Sequence, residues 1–101
     1  MAAKQKSVSP KVHPEQLDLY PSQAKYVGIF ACLVCARYGS NDRAADAIGA
    51  SPHGLSYVRL GARHCRQPAS VIDALARYAG CTRVELLAGK ATLPTVQEIA
   101  S

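Results

Sequence analysis

Two groups of residues have types and spacings that could carry chemistry. The first is Cys32-Leu33-Val34-Cys35, with His64-Cys65 and Cys81 further along. A CxxC step supplies half of a tetrahedral zinc site or a dithiol redox pair. The surrounding sequence opposes both uses. Redox pairs open a helix after a strand, whereas this one lies inside an apolar run. Structural zinc takes two paired knuckles, and only one is present. The expectation is therefore packing thiols that behave as small hydrophobic groups, with no metal and no cofactor. The second group is basic. Arg59, Arg63, His64 and Arg66 form the densest cationic cluster, and no Asp or Glu occurs from Ala47 through Ile72. A surface that faces phosphates needs such a window, because a carboxylate there would repel them. The three histidines, His13, His53 and His64, fall in separate segments, and no phosphate cradle, carboxylate pair or nucleophile elbow accompanies them. No enzyme is expected.

Composition narrows the partner. With 101 residues, 49% of them hydrophobic, the chain can build one small core without disulfide staples. Twelve Lys and Arg against seven Asp and Glu leave +5, which suits a polyanion better than an acidic small substrate. The longest apolar stretch, Val27 to Ala36, is about half of the ~20 residues that span a bilayer, and no apolar segment follows Lys4 and Lys6 as an export signal would require. A cytoplasmic protein with reduced thiols and no membrane partner is expected.

Glycine and proline mark out the elements that must position these residues. Residues 1–21, with Lys4, Lys6, Lys11 and three prolines, read as a flexible basic N-terminal arm. Ser22 caps a helix to Tyr38 that is apolar almost all round, with Tyr26, Phe30 and Leu33 on one stripe and Val27, Ile29 and Val34 beside it. Its surplus apolar surface implies a buried centre or a second subunit. Ser40 or Asn41 caps a short helix to Ile48, closed by Gly49. Ser51-Pro52 opens the next, with core contacts Leu55 and Val58 and Gly61 as its stop. Pro68 starts a fourth helix on Val71, Ile72, Leu75, Ala76 and Ala79, and Thr82 caps a fifth through Ala88. No strand pattern is visible. Residues 22–89 form the domain and residues 90–101 a C-terminal tail, giving an all-α, five-helix bundle.

Small Ala45, the turn at Gly49, and Leu55 and Val58 beyond it satisfy what two helices crossing steeply through a short turn require. In that series the sequence resembles the lambda Cro and repressor family of helix-turn-helix DNA-binding proteins. The resemblance continues through Gly61-Ala62-Arg63, Pro68, Val71, Ile72, Leu75, Ala76, Gly80 and Val84-Glu85-Leu86-Leu87-Ala88-Gly89, and covers about two-thirds of the chain. It implies a sequence-specific transcriptional regulator of double-stranded DNA, a repressor associated with the nucleoid, reading the major groove with helix 52–60. Ser51, His53, Ser56 and Tyr57 are then placed toward base edges, and Asn41, Arg43, Arg59, Arg63 and Arg66 toward phosphates. Gly54, costly inside a helix by ~1 kcal/mol relative to alanine, is read as letting the backbone approach the DNA. A homodimer is implied, joined through Tyr26 to Val34 or through the tail around Val96 and Ile99. The alternative is an antitoxin-like or adaptor module that uses the same surfaces for a protein partner.

Overall fold

The computed structural model describes residues 16–95. Within them the chain is mostly helical: α1 (Pro21–Tyr38), α2 (Asn41–Ile48), α3 (Pro52–Arg59), α4 (Ala69–Ala79) and α5 (Arg83–Leu87), with one 3₁₀ turn at Gly61–Arg63. Local chemistry sets most boundaries. The Ser40 hydroxyl accepts from the Arg43 N–H at 3.1 Å and the Ser51 hydroxyl from the Gly54 N–H at 3.3 Å, which resolves the first cap to Ser40. At Thr82 a capping box forms: its hydroxyl accepts from the Glu85 N–H, while a Glu85 carboxylate oxygen accepts from the Thr82 N–H at 2.9 Å. The Thr82 N–H, together with the Thr82 hydroxyl that donates to the same oxygen at 3.2 Å, holds the Glu85 carboxyl below the usual range. Gly49 ends α2 at φ +75°, a left-handed conformation that turns the chain directly into α3.

Two expectations are corrected. First, α1 starts at Pro21, not after a Ser22 cap; Tyr20 is the cap residue, and its N–H donates to the Gln23 side-chain oxygen at 2.8 Å. Proline suits the first helical position, where its missing N–H would have had no partner. Second, the fold is not purely helical. Gln16–Asp18 (β1) pairs antiparallel with Arg66–Pro68 (β2), placing Leu17 opposite Gln67 and Asp18 opposite Arg66. The arm therefore does not extend to residue 21: from Gln16 the chain belongs to the domain, Leu19 is buried, and its N–H donates to the Cys65 carbonyl at 2.7 Å. Residues 1–15 lie outside the described residues. The first residues of the expected tail, 90–95, are docked on the domain. Ala91 and Leu93 pack on the core, and the Pro94 carbonyl accepts from Arg37, which also donates to the Tyr78 hydroxyl at 3.0 Å. Val96 and Ile99 lie outside the described residues.

The core lies between α1, α3 and α4. Val27, Phe30, Ala31 and Val34 of α1 meet Ala44, Ala45 and Ile48 of α2, Leu55 and Val58 of α3, and Val71, Ile72 and Leu75 of α4. Backbones come close where side chains vanish. A β-carbon on Gly61 would sit 2.1 Å from the Ala24 carbonyl oxygen, and one on Gly28 would meet the Gly61 nitrogen at 3.2 Å. Gly61 is thus required by contact with α1 and does not close α3, which ends at Arg59 with Leu60 as its C-cap and the 3₁₀ turn following at once.

Candidate nucleic-acid interface

The two motif helices are locked by polar contacts as well as by Ala45. Asn41, at the start of α2, donates its side-chain amide to the Pro52 carbonyl at 2.8 Å and accepts from an Arg59 guanidinium nitrogen at 3.4 Å. This clamp joins the first turn of α2 to both ends of α3. Asn41, expected at a phosphate, is half-buried and already positions the motif. The thiol of Cys35 lies beneath it, 3.9 Å from the same Asn41 oxygen.

Burial sorts α3 into two sides. Leu55 and Val58 are inside, and His53, Ser56 and Arg59 are exposed, with Ser51 exposed at the cap. Tyr57 is half-buried because its ring stacks on His64, with centroids 4.4 Å apart and planes 14° off parallel. The stack ties the middle of α3 to the basic segment that follows. His53 and Tyr57, one turn apart, stand between two clefts. One, of about 520 Å³, is lined also by Cys32, Ser56, Arg59 and Leu60; the other, of about 400 Å³, by Gln16, Ser51, Gly54, Ser70 and Val71 among others. The base-facing residues expected from the sequence are thereby brought together on one surface. Gln16 and Ser70 join it from distant parts of the chain, and Cys32 borders it from α1. Helical periodicity within α3 could not reveal these three, since they arrive through tertiary packing.

Gly54 has a second role beside the expected one: a β-carbon there would lie 2.7 Å from a Val71 methyl, so glycine also serves the α3–α4 contact. The cations also differ in their partners. Arg43 and Arg63 are exposed. Arg66 forms a cross-strand ion pair with Asp18 at 3.1 Å, both side chains well exposed. The acid-free window in sequence is therefore not acid-free in space, because β1 brings a carboxylate to its edge.

The thiols divide similarly. Cys35 is buried and Cys81 partly so, and burial pushes both thiols up from their ordinary range, which keeps them protonated. Cys32 and Cys65 are exposed, so the packing role expected of all four holds for the other two. Among the described residues, no three His, Cys, Asp or Glu side chains gather where they could hold a metal ion, and no helix is long and apolar enough to cross a membrane. The chain matches no family model, no curated protein and no solved structure.

Proposed function

We propose that the chain is a sequence-specific double-stranded DNA-binding repressor of the lambda Cro and repressor type, acting as a homodimer in the cytoplasm on chromosomal DNA. The observation that carries this reading is the exposed face of α3. It has no acid, it presents His53, Ser56 and Tyr57 between two clefts, and the helix is held against α2 by the Gly49 turn and the Asn41 clamp. With its side chains a helix is about 10–12 Å across, which fits a major groove about 12 Å wide, and eight residues give α3 a length of about 12 Å. Ser51, His53 and Ser56 can each donate to or accept from base edges, and Tyr57 can pack on a thymine methyl. Arg43, Arg59 and Arg63 flank them as phosphate contacts, which fix orientation without reading sequence. Arg66 reaches a phosphate only by leaving Asp18.

At about 3.4 Å per base pair, α3 covers three or four pairs, too few to specify an operator. Two copies on half-sites ~34 Å apart double the readout. Selection from random duplexes with the folded chain at low salt should return an enriched two-fold sequence. Ser56→Ala should then narrow the gap between that sequence and random DNA by about 1–3 kcal/mol and leave the salt dependence unchanged. A selection that enriches nothing would remove the regulator reading.

A further inference from the structure

A groove of about 320 Å³ runs between α1 and the segment that ends α3. Lys25, Gly28, Ile29 and Cys32 form its α1 wall at i, i+3, i+4 and i+7, one stripe of the helix, with Leu33 beside them; Arg59 and Gly61 form the other wall. Its floor is bare because Gly28 and Gly61 approach through backbone and carry no side chain to fill it. Ile29 is 51% and Leu33 47% exposed, so two large aliphatic side chains border the groove with apolar surface still in water. The charged groups are two cations. Among the described residues neither Lys25 nor Arg59 is ion-paired, and no acid lines the groove. Arg59 gives one N–H to Asn41 at a long 3.4 Å, which leaves the rest of its donor fork for another acceptor.

We propose that this groove binds a medium-chain carboxylate, with the carboxylate on Arg59 and the acyl chain along Ile29 and Leu33. The lining selects that chemistry. Aliphatic walls gain from covering methylene groups, and a cationic rim without acids selects an anionic head. A phosphate backbone would match the cations and leave the aliphatic wall uncovered. Arg59 suits the head because its planar fork takes two carboxylate oxygens at once. Lys25 covers the chain with its own methylenes and keeps its ammonium in water. The step from Lys25 to Cys32 along α1 rises about 10 Å, roughly the length of an extended chain of about eight carbons. The volume lies at the lower end of the ~300–1,000 Å³ typical of small-ligand sites.

Cys32 and Arg59 also line the cleft of about 520 Å³ beside α3, so a bound carboxylate takes a cation from that cleft and puts a negative charge at its edge. The ligand should therefore weaken binding to DNA. That coupling alone rests on the DNA reading; occupancy of the groove does not.

Octanoate, kept below its micellar concentration, is the probe, and the thiols of the full, reduced chain report where it binds. Cys32 lines the groove; Cys65, also exposed, does not. Alkylation by iodoacetamide, followed by mass spectrometry of the peptides, should slow about tenfold at Cys32 when octanoate stands at about ten times its dissociation constant, with Cys65 unchanged. Calorimetry supplies that constant. Each methylene added from butanoate to octanoate should tighten binding by up to about fourfold. Octanol, the same chain without charge, should bind at least about tenfold more weakly, as should octanoate to Arg59→Gln. The octanol comparison uses the wild type and so holds even if Arg59→Gln unfolds. No protection of Cys32, equal protection of both thiols, or octanol binding as tightly as octanoate would each overturn the site. Protection of Cys32 with no enriched duplex would support the site and remove the DNA reading alone. Where a duplex is enriched, octanoate should weaken its binding about fivefold or more, and an unchanged affinity would overturn the coupling.

Discussion

Replacing Gly61 by alanine should destabilise the domain by about 3 kcal/mol, the upper end of what overpacking costs. The added methyl would stand 2.1 Å from the Ala24 carbonyl oxygen, 3.0 Å from its carbon and 3.2 Å from the Gly28 α-carbon. Carbon and carbonyl oxygen ordinarily approach to about 3.3 Å, so roughly 1 Å of separation must be created. Every obstructing atom belongs to backbone, and no rotamer change can relieve the clash. α1 must move from the 3₁₀ turn, opening the core around Val27 and Val58. For a domain of this size each kcal/mol lowers the melting temperature by about 4–8 °C, which gives about 12–24 °C. Thermal unfolding followed at 222 nm, together with a urea titration to separate stability from changes in slope, measures it. A Gly61→Ala chain that melts within about 3 °C of the wild type would refute the backbone contact and the placement of α1 that depends on it.

Gly49 tests strain without crowding: nothing lies within 4 Å of a β-carbon there, but φ is +75°. Gly49→Val should cost about 1–3 kcal/mol and Gly49→Asn clearly less, since asparagine tolerates that region; equal melting temperatures for the two would refute the turn. If Arg63 neutralises a phosphate, Arg63→Ala should weaken binding to all duplexes alike and lower the salt slope by roughly one unit, whereas Asp18→Asn, which frees Arg66, should strengthen it; opposite signs in filter or anisotropy titrations would refute these roles. Asp73 receives two hydrogen bonds at 2.9 Å from Arg83, which hold its carboxyl below its ordinary value of 3.8. A depressed value means the pair stabilises above the unfolded pKa and loses its contribution as pH falls through the folded one. Asp73→Asn should therefore cost about 0.5–1 kcal/mol at pH 7, modest because the pair is partly exposed, and nothing near pH 2. A difference unchanged between those pH values would argue against the pair.

The helices were legible because glycines, prolines and caps punctuate them within a residue or two: Gly39, Gly49 and Gly80 each hold a positive φ at a helix end. The β1–β2 ribbon was not. Three residues per strand are too few to show a period, and the partners lie about fifty positions apart. Gln16-Leu17-Asp18-Leu19 does alternate polar and apolar residues, a faint signal that acquires meaning only beside Arg66–Pro68. Gly54 and Gly61 carry the same lesson. From sequence a glycine inside or after a helix suggests a conformation, whereas both of these are small because another element passes close by. At the candidate site the local face of α3 could be read from i, i+3 and i+4 spacing, but the Asp18 carboxylate beside Arg66 could not.

The glycine contact between α1 and the segment after α3 also bears on how this protein can change over evolutionary time. The position of α3 on α1 is set through that contact, where peptide backbone rests on peptide backbone. Side chains can be exchanged for larger or smaller ones to retune a spacing by fractions of an ångström. Here there is none to exchange. Descendants of this chain could revise the exposed His53 or Ser56 freely, yet they would inherit the same placement of α3 against α1.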